Sequence, residues 1–468
     1  MKKVFLLTGC WLLVTGSFSF GQTVTQRLQK AFQQFESDSQ LKYAISSLYV
    51  IDAKTGGVVF DKNSRVGLAG ASTQKIITAT TAFELLGKGY TYKTVFGIYK
   101  KEQDAFLYIK PSGDPTFGSW RWNFTRPEMI LQNIRKAFSE NGISGLNKIT
   151  LDDKKFDPKV IPDGWIWQDL ANYYGAGSSS TNWRENQFDI LLRSGKNIGD
   201  PVEIVELKPI IKGYELKSRV TSAGKGTGDN AYVYFPLGDE NGVITGTIPV
   251  NENRFTIAAA FPSSKQVFLQ EMYDSLKNLF DPRQAMNLKP EVRDDQNSFL
   301  VTEHTPVIYT HYSPSLDSII YWFLKKSINL YGEALIKTIA YEKKGYGSTD
   351  SGIAIVRKFW KDNGLDEHEL NIYDGSGLSP LNRLTTHAQV QILQYARSKD
   401  WFPYFYDALP EYNGIKMKSG TISDVKGFCG YHKAKDGKEY IFSFLVNNYN
   451  GKTSGVVNKM FKVLDELK

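Results

Sequence analysis

A serine and a lysine three residues apart could form a nucleophile and its base. Ser72 and Lys75 lie in the stretch "LAGASTQKIITATTAFELLG", where small residues lead into an apolar run. Residues i and i+3 of a helix share a face, so the lysine can reach the serine hydroxyl. A serine needs a base at neutral pH, and a lysine can serve if burial or a nearby positive charge lowers its pKa. The alternative is an N-cap serine beside a surface lysine.

The Ser-x-x-Lys pattern also begins at three other serines, Ser39, Ser222 and Ser423. They lie in a polar N-terminal segment, in a Gly-rich loop and at the end of a predicted strand. Only Ser72 starts an apolar helix and follows small residues that leave its side chain accessible. The context therefore favours Ser72 as the nucleophile.

A second group of polar residues is Ser327 and Asn329 in "KKSINLYGEAL". From a loop between two helices, the serine could relay a proton and the asparagine could hold a substrate carbonyl group. The same spacing occurs at residues 180–182, so the pattern alone is weak. Local capping by polar side chains is the alternative explanation.

A third group is Lys418, Ser419, Gly420 and Thr421, on the edge of a predicted strand. The lysine offers positive charge to a carboxylate, the two side-chain hydroxyls offer hydrogen bonds, and we expect the glycine to let a substrate backbone approach closely. A similar run at residues 54–56, "KTG", fits a hairpin turn instead.

The predicted elements give an α/β fold. Residues 41–66 predict two strands joined by a Gly-bearing turn, and the Ser72 helix follows. Strands and loops dominate from about residue 90 to residue 261, after which helical spacing of apolar residues returns. We therefore predict one α/β domain, from residues 22–95 and 262–468, that is split by a β-rich insertion at residues 96–261.

Composition limits the class of protein. The 468 residues are 41% hydrophobic, which fits a globular chain and argues against disorder. The formal charge is +8, or +6 without the two lysines of residues 1–21, and no basic run indicates a nucleic-acid partner. Cys429 is the one cysteine after Cys10, so we expect no internal disulfide.

The N-terminal residues predict export. Residues 1–21 have a basic start, an apolar run and small residues before Gln22, which is the layout of a secretory signal peptide. The stretch before Cys10 also fits a lipoprotein cleavage site, but cutting there would leave an apolar tail. We favour release before Gln22, and no later apolar run is long enough to span a bilayer.

Together and in this order, the three groups resemble those of the penicillin-binding D-alanyl-D-alanine carboxypeptidase/endopeptidase family, the low-molecular-mass class C type. The resemblance covers essentially the whole chain after the signal peptide. It extends to the stretches "GDPTFGS", "GWIWQDLANYYGAG", "NLYGEALIKTIA", "YDGSGLSPLNRLT" and "GFCGY". It implies a transpeptidase/β-lactamase-like domain, an antiparallel sheet flanked by helices, with an insertion of two subdomains.

The resemblance also implies roles for the matching residues. Ser72 would be acylated with Lys75 as its base, and Ser327 and Lys418 would carry a proton to the leaving group. Asn329 would hold the substrate amide, the backbone N–H groups of Ser72 and Thr421 would form the oxyanion hole, and Ser419 and Thr421 would bind the terminal carboxylate. The implied partners are peptidoglycan stem peptides and β-lactam antibiotics, in the periplasm, with neither metal nor organic cofactor.

One subsite departs from the family pattern. Pro380 stands where many relatives have an arginine that helps bind a diaminopimelate side chain. Asp152 matches an acidic residue of that subsite, with Asp153 as the adjacent alternative. We expect Asp152 to pair with the substrate ammonium group, and Arg383 to reach the groove if its loop bends inward.

Other functions would make different demands on these residues. A β-lactamase or esterase on the same fold would need a group that activates water for fast deacylation. A non-catalytic wall-binding or antibiotic-sensing protein would not need the intact Ser72, Lys75 and Lys418. A Ser-His-Asp hydrolase is disfavoured, because the chain has only five histidines and no Gly-x-Ser-x-Gly elbow. No His-Glu-x-x-His pair indicates a metallopeptidase, and Cys429 fits a core position better than a nucleophile.

Overall fold

The structure is a computed structural model that describes residues 22–101, 104–279 and 305–468. The predicted signal peptide, residues 1–21 with Cys10, lies outside the described residues. Within the described ranges, no helix is both long enough and apolar enough to cross a membrane.

The regular elements are numbered here in chain order. The described helices are α1 Val24–Glu36, α2 Lys75–Leu86, α3 Pro127–Glu140, α4 Ser264–Leu276, α5 Leu316–Lys325, α6 Asn329–Lys344, α7 Thr349–Asp362, α8 Thr386–Arg397, α9 Phe402–Ala408 and α10 Thr453–Leu464. The described strands are β1 Ile45–Asp52, β2 Val58–Lys62, β3 Lys93–Lys101, β4 Asp104–Lys110, β5 Lys148–Leu151, β6 Gln187–Arg193, β7 Glu203–Lys208, β8 Glu215–Ser218, β9 Thr221–Ala223, β10 Asn230–Tyr234, β11 Asn241–Pro249, β12 Phe255–Ala260, β13 Val307–Tyr312, β14 Leu370–Asn371, β15 Arg383–Leu384, β16 Glu411–Tyr412, β17 Ile415–Ile422, β18 Val425–Lys433 and β19 Glu439–Asn447.

The largest sheet is antiparallel and has six strands in the order β16-β17-β18-β19-β1-β2. Successive side chains of a strand point to opposite faces. On β1, Tyr49 and Ile51 therefore join one hydrophobic cluster, and Leu48 and Val50 join the other. Helices α1 and α10 cover the second face, and helices α2 and α5–α9 pack in the first cluster. The predicted antiparallel sheet flanked by helices is confirmed.

Helix α2 is buried on all sides. Every residue from Lys75 to Phe83 is buried, because the run is built from apolar, alanine and threonine side chains around its whole circumference. A helix of this kind packs inside a domain. Its first residue is thereby held away from water.

The insertion contains three smaller sheets. Their strand orders are β13-β3-β4-β5, β12-β6-β7 and β10-β11-β8, with β9 also pairing with β11. One hydrophobic cluster spans these sheets together with α3 and α4. Helix α4 and strand β13 follow residue 261, so this packing continues beyond the predicted end of the insertion. The division into two subdomains stays a prediction.

The hairpin predicted at residues 41–66 is confirmed as β1 and β2. Its turn is held by Asp52 Oδ1, which accepts hydrogen bonds from the backbone N–H groups of Lys54 and Thr55. Gly56 follows with a φ of 73°, in the left-handed region that favours glycine. The "KTG" run at residues 54–56 is therefore a turn.

Candidate active site

Ser72 lies in a 3₁₀ turn, Ala71–Gln74, directly before α2. The sequence predicted that it would begin the helix itself. Ala71 has a φ of 47°, a left-handed conformation that is strained for a residue with a side chain. No side-chain hydrogen bond caps this turn or the start of α2. The interpretation of Ser72 as an N-cap serine beside a surface lysine is therefore wrong.

The Lys75 amine is fully buried among three oxygen atoms. Its Nζ lies 2.8 Å from Ser72 Oγ, 2.6 Å from Asn329 Oδ1 and 2.7 Å from the carbonyl oxygen of Ser376. A neutral amine has two N–H groups and one lone pair. Because the two carbonyl-type oxygens only accept hydrogen bonds, they take the two N–H groups. The lone pair is left for the Ser72 hydroxyl proton, as a general base requires.

The surroundings of Lys75 favour the neutral amine. Burial lowers the pKa of Lys75 well below its ordinary value of 10.5, and the charge of Lys418 lowers it further. Asp374 and Glu333 act in the opposite direction. Burial and the charge of Asp374 raise the pKa of Glu333, which weakens that opposition.

Ser327 and Asn329 lie where α5 gives way to α6. Ser327 has a φ of 58°, and its Oγ accepts a hydrogen bond of 3.0 Å from Lys418 Nζ. No side chain caps α6. The Asn329 amide instead accepts from Lys75 and donates its Nδ2 hydrogen to the carbonyl of Tyr174 at 2.7 Å. Local capping therefore does not explain this pair, which joins the base to the insertion.

Lys418 is the second buried amine of the site. It is 2% exposed, and its Nζ contacts Ser327 Oγ and the carbonyl of Ser419 at 2.9 Å. Burial lowers the pKa of Lys418 to about 7; Cys429 raises it and the charge of Lys426 lowers it. A group with a pKa near the working pH can accept or release a proton readily, which suits a relay through Ser327.

Gly420 sits where strand β17 crosses the Ser72 turn. A Cβ at this position would lie 2.4 Å from the carbonyl oxygen of Gly70, 2.8 Å from Thr73 N and 2.9 Å from Ser72 N. We expected Gly420 to make room for substrate. The contacts show a different reason, since the absent side chain lets β17 pack directly on the backbone of the nucleophile turn.

The loop 374–382 supports the base from the other side. The buried Asp374 carboxylate accepts hydrogen bonds from two backbone N–H groups of this loop, at 2.7 and 2.6 Å, and from Trp165 Nε1 at 2.9 Å. The loop thereby presents the Ser376 carbonyl to Lys75. The sequence does not reveal this carbonyl contact, because any residue type can supply a backbone carbonyl.

A groove of about 640 Å³ lies in front of Ser72. Ser327, Asn329 and Thr421 line it on the side of the sheet domain. The insertion lines the facing side with several side chains, mainly aromatic: Trp120, Arg121, Ile166, Tyr173, Tyr174 and Tyr232. The groove therefore lies between the sheet domain and the insertion, with Ser72 in its lining.

The structure does not bring the predicted side-chain subsite to this groove. Asp152 Oδ2 accepts a hydrogen bond of 2.6 Å from Tyr108 on the neighbouring strand β4, and Asp152 does not line the groove. Asp153 pairs with Lys265. Arg383 is exposed and donates to backbone carbonyls of its own loop, so the loop does not bend it inward. The side-chain subsite at Asp152 therefore stays a prediction.

The competing motifs lack the same surroundings. Ser39 lies in a short 3₁₀ turn, and Ser222 Oγ accepts a hydrogen bond from Gly195 N. Ser423 lines the groove, but its lysine, Lys426, contacts other hydroxyls. Cys429 is fully buried and burial raises its pKa, which fits the core position expected for it. No cluster suited to a metal ion occurs in the part of the chain that the structure describes.

The same fold occurs in known proteins. The crystal structure of penicillin binding protein 4 (dacB) from Haemophilus influenzae matches with a TM-score of 0.75 and 18% identity, over 94% of this chain and 99% of that one. A structure of that protein in complex with a β-lactam matches with a TM-score of 0.69 and 17% identity, over the same shares. The mixed α/β fold is thus that of penicillin binding protein 4.

Sequence comparison is more specific. The family model of the D-Ala-D-Ala carboxypeptidase 3 (S13) family matches residues 28–411, and the chain belongs to this family. A D-alanyl-D-alanine carboxypeptidase of Actinomadura sp. (strain R39) is 24% identical over 453 residues, which cover 88% of this chain and 80% of that protein. DacB of Haemophilus influenzae is 22% identical over 422 residues, which cover 84% and 83%. The protein is a peptidase of the D-Ala-D-Ala carboxypeptidase type.

Proposed function

We propose that this protein is a serine peptidase that cleaves D-Ala-D-X bonds of peptidoglycan stem peptides through an acyl-enzyme on Ser72. The observation that carries the proposal is the contact between the buried Lys75 amine and Ser72 Oγ, 2.8 Å apart, beside an open groove. Family membership supports the substrate class.

Acylation uses the groups already described. Ser72 Oγ attacks the carbonyl carbon of the penultimate D-Ala while its proton passes to Lys75 Nζ. The backbone N–H groups of Ser72 and Thr421 stabilise the oxyanion. The C–N bond then breaks, and the leaving amine takes a proton from the Ser327 hydroxyl. Lys418 in turn gives a proton to Ser327.

Deacylation regenerates the free enzyme. Water attacks the ester carbonyl and gives up a proton, which passes through Ser327 to Lys418 and restores its charge. The bond to Ser72 Oγ then breaks, and the serine recovers its proton from the Lys75 ammonium group. Asn329 holds the substrate amide, and Ser419 and Thr421 bind the terminal carboxylate. A β-lactam presents a strained amide at the same place, so that its ring opens onto Ser72.

The proposal also includes cleavage of peptidoglycan cross-links and a periplasmic location. The groove runs between the sheet domain and the insertion, which leaves space for a leaving group larger than one D-Ala. We therefore include endopeptidase cleavage of D-Ala-D-X cross-links. The signal-like residues 1–21 support export to the periplasm without a lipid at Cys10.

The test is covalent labelling with a fluorescent penicillin followed by peptide mapping. We expect one adduct, on Ser72, and no labelling of a folded Ser72→Ala variant. Ser423→Ala is the matched control, because Ser423 also begins a Ser-x-x-Lys pattern and lines the groove; it should be labelled normally. An adduct on Ser39, Ser222 or Ser423 would refute the proposal.

A further inference from the structure

Two hydroxyl groups of β17, of which Thr421 lines the groove, contact a lysine of the neighbouring strand. Lys426 Nζ on β18 lies 2.7 Å from Ser419 Oγ and 2.8 Å from Thr421 Oγ1, both on β17. Thr421 and Lys426 are directly paired across the two strands, so their side chains share a face. The Ser-x-x-Lys pattern at Ser423 did not indicate this role, because Lys426 reaches across the sheet.

The charge of Lys426 has no acidic partner among the described residues. The side chain is 7% exposed, and the ring of Phe428 lies 4.6 Å from its Nζ. Burial alone lowers its pKa to about 8, and no carboxylate raises it. The charge of Lys426 also opposes that of another cation, since it lowers the pKa of Lys418. A buried cation without a counter-ion is unfavourable unless an anion approaches it.

The contacts also fix the direction of the hydrogen bonds. An ammonium group only donates, so both hydroxyl oxygens must accept from Lys426. Each hydroxyl keeps its own hydrogen for another acceptor. Thr421 lines the same groove as Ser72 and Ser327. An anionic group placed there would receive two O–H hydrogen bonds from hydroxyls polarised by a positive charge.

We propose that Lys426 is the positioning residue that makes this site selective for a substrate ending in a free carboxylate. It acts through the Ser419 and Thr421 hydroxyls, which it orients toward the groove and whose donor strength it increases. The inference rests on the function proposed above, in which the leaving residue of the peptide carries that carboxylate. A lysine that merely tied β17 to β18 would affect stability without affecting the choice of ligand.

The experiment compares two probes on the mature chain, benzylpenicillin and its methyl ester. The second-order rate constant of Ser72 acylation is measured for each by intact-protein mass spectrometry, and the ratio of the two constants is the readout. This ratio is independent of the fraction of active protein. Lys426→Met removes the charge at similar length, Lys426→Arg keeps it, and Lys433→Met is the matched control because Lys433 is exposed on the same strand.

We expect the preference for the free acid over the ester to fall about 10- to 100-fold in Lys426→Met, as for the loss of a hydrogen-bond system to a charged group. Lys426→Arg should retain most of the preference, and Lys433→Met should match the wild type. An unchanged ratio in Lys426→Met, with Ser72 still acylated, would overturn this inference and leave the proposed function standing. A wild-type protein that is not acylated on Ser72 would overturn both.

Discussion

At the scale of single residues, the proposed mechanism depends on a lysine, Lys75, that must be neutral. Replacing Lys75 by Arg keeps a long cationic side chain but removes the possibility of a lone pair, because a guanidinium stays protonated. General base catalysis contributes about 10²- to 10⁴-fold, so we expect Lys75→Arg to lose at least that factor in the rate of Ser72 acylation. The measurement is the time course of penicillin labelling.

Lys42 offers the matched control, because it is the lysine of the Ser39 pattern and is exposed. Lys42→Arg should be acylated at the wild-type rate. Normal acylation of Lys75→Arg would show that another group removes the Ser72 proton.

Burial of Lys418 opposes stability, and this can be tested with pH. Its pKa is 10.5 in an ordinary environment and about 7 in the fold. Between these values the unfolded chain binds more protons than the folded chain, so stability rises with pH through this window. Below pH 7 the unfavourable contribution is fully present.

We therefore expect Lys418→Met to unfold at a higher temperature than the wild type at pH 6, while losing acylation. The free energy of unfolding of Lys418→Met should exceed that of the wild type by an amount that falls by about 1.4 kcal/mol per pH unit between pH 7 and pH 9. Calorimetry or denaturant titration at pH 6, 7, 8 and 9 measures it. Exposed Lys433→Met is the control without such a trend, and a constant difference across this range would contradict the argument.

At the scale of elements, the Ser72 turn and β17 are pressed together. Gly420→Ala would place a Cβ 2.4 Å from the carbonyl of Gly70 and 2.9 Å from Ser72 N, which are backbone atoms that cannot rotate away. We expect β17 to move off the turn, with a loss of about 1–3 kcal/mol in stability, as for overpacked cores. Acylation should fall at least 100-fold, since small misplacements of reacting groups have effects of this size.

Gly89→Ala is the matched control, because a Cβ at Gly89 meets no atom within 4 Å. It should leave unfolding and labelling as in the wild type. If Gly420→Ala is labelled at the normal rate, the close packing of β17 is not needed for catalysis.

The elements around the Ser72 turn show which features could be predicted from the sequence. The strand–turn–strand pattern at residues 41–66 and the apolar helix after Ser72 could be predicted, because hydrophobic periodicity carries them. That Ser72 precedes the helix in a strained turn could not, since the conformation of Ala71 is set by tertiary contacts. The carbonyls of Ser376 and Tyr174 were missed for a related reason: their backbone positions depend on distant loops.

At the scale of the whole molecule, the insertion contributes contacts to the candidate active site. Trp165 donates its indole N–H to Asp374, the Tyr174 carbonyl accepts from Asn329, and Lys337 on α6 donates to two carbonyls of the insertion at 2.7 and 2.8 Å. The sequence predicted an inserted β-rich region but not these contacts. The region lines the groove and also forms hydrogen bonds with residues that support Lys75.

Trp165→Phe tests that coupling by removing one N–H group. A buried hydrogen bond to a charged group contributes about 1.5–3 kcal/mol, so stability should fall by that order. The loop that presents the Ser376 carbonyl to Lys75 should loosen, and we expect acylation to slow about tenfold. Unfolding curves and labelling rates measure the two effects.

Trp167→Phe is the control, because Trp167 lies two residues away and is 49% exposed. It should leave both quantities close to the wild type. If Trp165→Phe and Trp167→Phe have equal effects, loss of the Trp165–Asp374 hydrogen bond is not the cause of the change in stability and acylation rate.

The sequence of contacts in the large sheet also has a consequence for biosynthesis. Strand β1 pairs with β19, and β17 packs on the turn that carries Ser72. The N-terminal part of the domain therefore cannot complete its contacts until the C-terminal strands are present. Chains are made from the N-terminus, and contacts between distant segments form slowly because a long loop must close first. A nascent chain that has released Ser72 still lacks Lys418 and the strand that carries it. If Ser72 is acylated as proposed, we expect no reaction with a β-lactam until nearly the whole chain has been made. The appearance of labelling during refolding should then report the final docking of β17–β19.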